Sequence, residues 1–270
     1  MRDAQALDAQ HEGEREKSVD AGEIRVAHDG PVTIVTIARE AVRNALDTAM
    51  RAKLRAAFEA AAAREETQAV ILTGAGDKAF CAGQDVRELA ALDGAGAQDW
   101  VRDMQALFAC VRSFEKPVLC ALNGVAAGLG FQLALMADVR IAAAGARMGQ
   151  TEINLGLASM SGPWIMREVM GLAAMIEMTL TARLADAAEC LRLGLVSEVV
   201  PDAELSARSR AVAAELAAKP PLAVALTKRR FWEILRPGFE EAMAASARAH
   251  RAAFETGEPQ KTLRAFLERR

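Results

Sequence analysis

Hydrophobic positions along the chain alternate between short β-branched runs and longer stretches with helical spacing. The run Pro31–Ile37 is rich in Val, Ile and Thr, which predicts a strand. Asp47 then stands where it can cap an alanine-rich helix that reaches about residue 64. Apolar runs at 69–73 and 118–122 predict further strands. Strands that alternate with helices predict a mixed α/β core.

The remaining pattern divides the chain into three parts. Residues 1–22 are polar and without period, which predicts a mobile tail. Residues 23–201 are expected to form the α/β core, and residues 202–270 a purely helical domain. Within the core we expect helices from about 85, at 98–114, at 131–136 and from about 162, a loop at 124–130, strands at 139–142 and near 148, and a short helix around 153. In the helical part we expect helices at 203–218, 222–234 and 238–254.

Composition and charge narrow the classes of function. The 270 residues are 52% hydrophobic, enough for a sizeable core in one large domain or a domain with an appendage. A net charge of −3 gives no basic excess for a phosphate backbone, which argues against nucleic acid as the main partner. The longest uncharged run, 117–137, contains Pro, Asn, Gln and glycines, so we interpret it as strand, loop and helix rather than a membrane span. The four cysteines show no C-x-x-C spacing, and a reducing cytoplasm is the expected location.

The usual catalytic side chains are scarce. Histidine occurs at positions 11, 28 and 250 only, and tyrosine is absent from the sequence, so a Ser-His-Asp or Cys-His arrangement on the core is not expected. We interpret all three histidines as surface or internally satisfied residues. Ligand spacing for a metal ion is also missing. The glycines at 124, 128 and 130 do not fit the order G-x-G-x-x-G of a dinucleotide-binding loop.

Two glycine-bearing segments join predicted strands to helices. One is AFCAGQDV at 79–86, and the other contains Ala126-Ala127-Gly128-Leu129-Gly130. The first amide N–H groups of a helix lack intrahelical partners and can hold an anionic oxygen. Asp85 with Glu88 is expected to form a capping box that fixes the first loop and leaves the Gln84 N–H free. The alternative is that both segments are ordinary tight turns.

Several short motifs follow one another along the chain. They are VRNAL at 42–46, AFCAGQDV at 79–86, LNGVAAGLGFQLA at 122–134, GQTEINLG at 149–156, GLVSEVVP at 194–201 and AFLER at 265–269. In this order and spacing they resemble the crotonase superfamily, the enoyl-CoA hydratase/isomerase family, from about residue 23 to the C-terminus. The resemblance implies a crotonase-like ββα-spiral core, residues 23–201, with a helical C-terminal domain, residues 202–270, that serves oligomerisation. It also implies a homotrimer or a dimer of trimers.

The resemblance implies an acyl-CoA thioester as substrate, with coenzyme A as part of that substrate and no separate cofactor or metal. The thioester carbonyl would lie between the backbone N–H groups of Gln84 and Leu129. A leucine at 129, where the family more often has glycine, either narrows this oxyanion hole or points away. The segments expected along the coenzyme A moiety contribute Arg43, Ala45, Leu46, Ala82, Gln84, Asp85, Val86 and Leu129. Phe266 and Arg269 match the C-terminal segment that reaches the adenine, often on a neighbouring subunit.

The acid–base positions depart from the hydratase pattern. Hydratases of the family use two glutamates, and at the matching positions this chain has Gln132 and Glu152. Glutamine can orient a water molecule but cannot take its proton. Glu152 matches the glutamate that alone suffices in members that move a double bond. The resemblance therefore favours enoyl-CoA isomerisation over hydration, with Glu152 as proton carrier.

Other readings stay open. A catalytically idle CoA-thioester binder or an RNA-binding homologue would look similar, and Lys228-Arg229-Arg230 would serve RNA unless it is a solvated helix face. C–halogen chemistry would need an aspartate nucleophile after Glu152, where residues 158–161 offer none. The acyl group itself is expected to contact Trp100, Met104, Phe108, Met160 and Trp164, although ordinary core packing gives the same pattern.

Overall fold

The computed structural model describes residues 22–269 of the chain, so the predicted tail lies outside the described residues except for Gly22. Strands were expected in the core, and the structure places them as predicted at 31–37, 69–73, 118–122, 139–142 and near 148. It adds short strands that the sequence pattern did not indicate. Predicted and additional strands together are, in chain order, β1 Glu23–Asp29, β2 Val32–Ala38, β3 Ala69–Gly74, β4 Ala79–Cys81, β5 Val118–Leu122, β6 Val125–Ala127, β7 Val139–Ala143, β8 Arg147–Gly149, β9 Ala185–Asp186 and β10 Glu198–Val200.

The helices surround these strands and make up the C-terminal part of the chain. Asp47 caps the first helix as predicted, because its carboxylate accepts the Met50 N–H at 2.8 Å. Short 3₁₀ helices cover Glu40–Val42, Glu152–Leu155 and Asp202–Glu204. The α-helices are α1 Thr48–Ala63, α2 Val86–Leu89, α3 Gly94–Arg112, α4 Leu129–Met136, α5 Ser161–Met170, α6 Leu172–Thr181, α7 Ala187–Arg192, α8 Leu205–Ala217, α9 Pro221–Glu255 and α10 Glu258–Leu267.

The strands form a larger and a smaller sheet. The larger has the order β1-β2-β3-β5-β7-β10 and is parallel except for the β1–β2 pair. The smaller has the order β4-β6-β8-β9, in which β4, β6 and β8 run parallel. From β3 to β8 the chain enters the two sheets alternately, so each turn adds one strand to each sheet. This alternation is the ββα spiral that the family resemblance implies.

The spiral brings three loops to one edge of the smaller sheet. Parallel neighbours end at the same edge, and β4, β6 and β8 are parallel neighbours. The segments that follow these strands are Ala82–Asp85, Gly128 and Gln150–Thr151. Residues more than forty positions apart in sequence therefore meet at this edge.

The prediction of separate helices at 222–234 and 238–254 is wrong, since α9 runs unbroken from Pro221 to Glu255 with Pro237 inside it. A proline usually breaks a helix because it lacks an N–H and clashes with the preceding turn. Here aromatic packing spans the proline. Phe239 contacts Trp232 of the same helix, with ring centroids 5.5 Å apart, and Trp164 of α5 at 5.8 Å. These contacts stabilise α9 as one continuous helix across Pro237.

The core fills the space between the sheets and the helices. α8 packs on the larger sheet, and α3 packs against both α1 and α9. α4 is buried along its whole length, which explains why its apolar residues carry no helical period. This burial holds the first turn of α4 in place at the edge where the loops meet.

Candidate active site

A cavity of about 780 Å³ lies where the three loops meet. Most of the residues singled out from the sequence line it, namely Arg43, Ala45, Ala82, Gln84, Asp85, Val86, Leu129, Gln132, Glu152 and Phe266. Leu46 and Arg269 do not line it. The Leu46 side chain is fully buried in the core, and Arg269 is exposed just beyond the end of α10.

Leu46 acts on the cavity through its backbone. Its N–H donates to the Gly83 carbonyl at 2.9 Å, and its carbonyl accepts the Asp85 N–H at 3.1 Å. This isolated parallel bridge uses the groups on either side of Gln84. Successive N–H groups of an extended chain point in opposite directions. The Gln84 N–H therefore points away from Leu46, on the side of the loop that lines the cavity.

The second loop supplies the Leu129 N–H. Leu129 is the first residue of α4, where an amide has no intrahelical acceptor. Gly128 before it has φ 52° and ψ −120°, a conformation that suits glycine. The two loops are in contact, since a Cβ at Gly83 would lie 3.0 Å from the Ala127 carbonyl oxygen and 3.7 Å from the Leu129 nitrogen. The Leu129 side chain is 4% exposed and belongs to the core.

Glu152 is the carboxylate that lies beside the second loop. Its carboxylate lies beside Gly128, because a Cβ at that glycine would be 3.3 Å from Oε1 and 3.6 Å from Oε2. Oε1 accepts a hydrogen bond of 2.8 Å from Gln132 Nε2, whereas Oε2 is buried without a partner among the described residues. Burial raises the pKa of Glu152 to about 7, and hydrogen bonds from its own backbone and from Gln132 offset part of the shift. The group can therefore take and release a proton near neutral pH.

The Gln132 amide has a fixed orientation. The Ser161 hydroxyl donates to Gln132 Oε1 at 2.8 Å, so Oε1 is the acceptor and Nε2 is the donor toward Glu152. Gln132 is 5% exposed and lines the cavity from α4. It can hold the carboxylate in place, but it has no site that takes a proton at neutral pH.

The predicted capping box is half right. Asp85 caps α2 by accepting the Arg87 N–H at 2.9 Å, but Glu88 does not reach back to it. Instead Glu88 Oε1 accepts the Thr48 N–H at 3.1 Å, and so ties α2 to the start of α1. Asp85 also forms a buried ion pair of 2.7 Å with Arg39. Long-range contacts satisfy these groups better than the local motif does.

The Gln84 side chain is held by a buried arginine that does not line the cavity and that the sequence did not indicate. Arg51 is 1% exposed, and its Nη1 donates to Gln84 Oε1 at 2.6 Å. Gln84 Nε2 in turn donates to Glu88 Oε2 at 2.7 Å. Arg51 Nε donates to Asp103 at 2.5 Å. Both ends of the Gln84 amide are therefore bonded, which fixes the orientation of its backbone.

The residues expected to contact the acyl group line the cavity only in part. Trp100, Met104 and Met160 line the cavity as predicted, but Phe108 is fully buried in the core and Trp164 packs against Phe239. His250 of α9, interpreted from the sequence as a surface or satisfied residue, also lines the cavity. Its only signal in the sequence would have been the spacing of buried positions along α9, which the predicted break at residue 237 concealed.

The C-terminal segment packs against the core of its own chain. Phe266 of α10 lines the same cavity as Glu152, whereas the family resemblance places this segment often on a neighbouring subunit. α10 contacts α2 and the 3₁₀ helix that begins at Glu152. One chain therefore supplies the cavity with residues from its core and from its C-terminus.

The basic cluster Lys228-Arg229-Arg230 is neither a free patch nor a simple solvated face. Lys228 is 7% exposed, donates to the Lys116 carbonyl at 2.8 Å and forms an ion pair with Asp138. Arg229 pairs with Glu115 at 2.8 Å, and Arg230 pairs with Glu233 at 3.0 Å. Each cation has a carboxylate partner, so the cluster offers little charge to a nucleic acid.

Over residues 22–269, no group of His, Cys, Asp and Glu side chains is arranged to hold a metal ion. The four cysteines are free thiols, and burial raises the pKa of Cys81 to about 12. No helix in the described part of the chain is long and apolar enough to span a membrane.

The fold and the cavity define a class of protein that comparison with known families identifies. The family model described as enoyl-CoA hydratase/isomerase matches residues 28–270. The chain therefore belongs to the enoyl-CoA hydratase/isomerase family, within the crotonase superfamily.

Individual relatives agree with this assignment. A probable enoyl-CoA hydratase of Rhodobacter capsulatus is 38% identical over 245 residues, which cover 88% of this chain and 92% of the relative. A short-chain-enoyl-CoA hydratase of Clostridium acetobutylicum is 32% identical, with 90% of this chain and 93% of the relative covered. The crystal structure of an enoyl-CoA hydratase/isomerase from Mycobacterium paratuberculosis superposes with a TM-score of 0.83 at 26% identity, covering 90% of this chain and 98% of that one.

Proposed function

We propose that the chain binds an acyl-CoA thioester with its carbonyl oxygen between the backbone N–H groups of Gln84 and Leu129. The contact between the Gly83 and Leu129 loops, and the direction of the Gln84 N–H, support this position. When a proton leaves C2, negative charge moves to the carbonyl oxygen. Two fixed donors favour that enolate, and each contributes about 3 kcal/mol. The chemistry needs no group besides the chain and the thioester.

The reaction that the geometry supports best is migration of a double bond. Glu152 takes a proton from C2 of a 3-enoyl-CoA and forms the dienolate, whose charge rests on the carbonyl oxygen. The C3–C4 double bond electrons then take the same proton back at C4, and the double bond moves to C2–C3. A carboxylate with a pKa of about 7 suits both steps, because it is a base and, once protonated, an acid near neutral pH.

One observation carries the choice of isomerisation over hydration. Gln132 stands where hydratases of the family have a second glutamate, and its amide is bonded to Ser161 and to Glu152. Addition of water needs one group to take a proton from the water and a route to protonate C2. Of the hydrogen-bonded pair Gln132 and Glu152, only Glu152 carries a carboxylate, and double-bond migration requires only one.

Hydration of a 2-enoyl-CoA is the second candidate. The relatives from Rhodobacter capsulatus and Clostridium acetobutylicum carry the name hydratase, and this favours it. In that reaction Glu152 would act on a water molecule oriented by the Gln132 amide. A binder without catalysis is the third possibility, and it predicts affinity without turnover.

An assay with matched thioesters separates the candidates. The purified protein is incubated with 3-enoyl-, 2-enoyl- and 3-hydroxyacyl-CoA esters of the same chain lengths, and the products are separated by chromatography. We expect conversion of the 3-enoyl ester to the 2-enoyl ester to be fastest, and Glu152→Gln to abolish it. Glu240→Gln, an exposed exchange on α9, is the control. Rapid hydration that survives Glu152→Gln would contradict the proposal, and binding without turnover would favour the idle homologue.

We further propose that the chain assembles as a homotrimer or a dimer of trimers. Large apolar side chains are exposed on two helices, which supports a contact between copies. They are Leu172, Ile176 and Leu180 on α6 and Leu222, Leu226, Phe231 and Ile234 on α9. Sedimentation analysis of the purified protein measures the assembly, and a monomer at micromolar concentration would contradict it.

A further inference from the structure

His250 presents an unused hydrogen-bond acceptor to the cavity. Its Nδ1 lies 2.8 Å from the Ser246 carbonyl oxygen one turn earlier on α9. A carbonyl oxygen only accepts, so Nδ1 carries the proton and Nε2 has the free lone pair of a neutral imidazole. Burial lowers the pKa of His250, which keeps the ring neutral. Among residues 22–269 no group donates to Nε2.

The imidazole ring is held in one orientation. Besides the Ser246 bond, Trp100 packs against it edge to face, with ring centroids 5.0 Å apart and planes at 86°. His250 is 4% exposed and lines the cavity together with Trp100 and Met104. The Ser246 bond and the Trp100 contact together hold Nε2 at one position in the cavity wall. A contact that determines specificity needs a fixed position of this kind.

The acceptor lies on the apolar wall of the cavity rather than beside the reacting atoms. Glu152 is next to Gly128, on the wall formed by the loops that follow β6 and β8. His250 and Trp100 belong to the wall formed by α9 and α3. His250 lines the cavity, and a ligand group that donates to its unpaired Nε2 gains affinity from that hydrogen bond.

We propose that His250 Nε2 accepts a hydrogen bond from a hydroxyl group on the distal part of the acyl chain, so that the preferred thioesters are distally hydroxylated rather than plain alkyl acyl-CoA esters. A carboxylate is disfavoured because it brings only lone pairs toward Nε2. An ammonium is disfavoured because it would be buried against Trp100 and Met104 without a counter-charge. A hydroxyl is neutral and supplies the donor that is missing. The inference rests on the proposed acyl-CoA binding but not on which reaction follows.

Binding of inert thioesters tests it without any turnover. Butanoyl-, hexanoyl- and octanoyl-CoA and their ω-hydroxy counterparts have no double bond, and calorimetric titration gives their dissociation constants for the wild-type protein. We expect the ω-hydroxy ester to bind about fivefold tighter at the chain length that reaches His250, as for one net hydrogen bond. His250→Phe should abolish the preference. His250→Gln should retain part of it, because the amide Oε1 is an acceptor.

His28→Phe, an exchange of the same type at an exposed position outside the cavity, should leave the preference unchanged. If the wild type binds both series equally at every length, or if folded His250→Phe keeps the preference, the proposal is overturned. Should the His250 variants fail to fold, the wild-type comparison alone decides. If the wild type binds neither series, the acyl-CoA assignment itself fails, which is a distinct result from a lack of preference.

Discussion

Arg51 and Gln84, thirty-three positions apart, are joined by a hydrogen bond of 2.6 Å from the buried guanidinium to the amide oxygen. Arg51 also bonds Asp103 on α3, so one side chain ties α1, α3 and the loop after β4 together. The side-chain amide of Gln84 is thereby bonded to Arg51 and Glu88, which do not line the cavity, while its backbone N–H points away from Leu46. The polar network behind the loop positions the proposed oxyanion donor.

Removal of Arg51 should therefore cost both stability and turnover. Arg51→Met removes the buried guanidinium that pairs with Asp103 at 2.5 Å and with Glu88 at 3.4 Å, and we expect the free energy of unfolding to fall by about 3 kcal/mol. Arg55→Met is the matched control, since Arg55 contacts the same Asp103 at 3.5 Å but is 33% exposed. It should cost less than about 1 kcal/mol. Urea unfolding measures the free energy lost in each variant, and equal losses would contradict the larger contribution that we assign to the buried Arg51. In the folded Arg51 variant kcat should fall more than KM rises.

The backbone nature of the donors predicts a difference between alanine and proline. Alanine at position 84 or 129 keeps the N–H, whereas proline removes it. We expect each proline variant to lose about 100-fold more kcat than the matching alanine variant, as for one lost oxyanion donor. Circular dichroism must first show that the proline variants fold. Equal losses in folded alanine and proline variants would rule out Gln84 and Leu129 as donors.

The pKa of about 7 at Glu152 predicts the pH dependence of activity. Only the carboxylate form takes a proton from the substrate, so kcat/KM should rise about tenfold per pH unit below 7 and level off above it. A pH–rate profile for a 3-enoyl-CoA measures this. A profile that is flat from pH 5 to 8, about the range over which Glu152 changes charge, would contradict the role of this group.

The same group links stability to pH. A carboxyl whose folded pKa lies above its unfolded pKa contributes stability that is present below the unfolded value, 4.5 here, and lost as pH rises through the folded value near 7. The wild type should thus lose stability relative to Glu152→Gln between these values. Unfolding curves of both proteins across that interval measure the difference, and a constant difference would show that the pKa of Glu152 is not raised.

Gln132→Glu should restore hydratase chemistry. It places a second carboxyl where Gln132 Nε2 now lies 2.8 Å from Glu152, and two carboxyls this close share a proton. One can then act as base on water while the other acts as acid. We expect hydration of crotonyl-CoA to increase, as followed by loss of the enoyl thioester absorbance. Gln132→Met removes the hydrogen bond without adding an acid and should not increase hydration. Equal effects of both variants would contradict the two-carboxyl explanation.

The sequence predicted the parts of the site that depend on local motifs. The strand-to-helix loops around Gly83 and Gly128 have a glycine and a helix start within a few residues, and the structure brings them together as expected. The family resemblance put Gln132 and Glu152 at the two acid–base positions, and the structure shows them hydrogen-bonded.

What the sequence could not predict depends on contacts between distant elements. Arg51 follows a helix cap and looks like an exposed helix position, because nothing local shows that Gln84, Glu88 and Asp103 surround it. His250 enters the cavity only because α9 continues through Pro237, and aromatic packing with Trp164 overrides the local rule there. In both cases tertiary packing decides the outcome.

The close contact of the site loops also determines which point mutations this chain tolerates. A Cβ at Gly130 would lie 2.1 Å from the Cys81 carbonyl oxygen, so no larger residue fits there without moving the two loops apart. At Gln84 and Leu129, by contrast, every substitution other than proline leaves the chemically active N–H in the chain. Under selection for activity, the glycines beside the donors are consequently expected to tolerate fewer substitutions than positions 84 and 129, where a new side chain costs packing or the Arg51 bond but leaves the N–H in place.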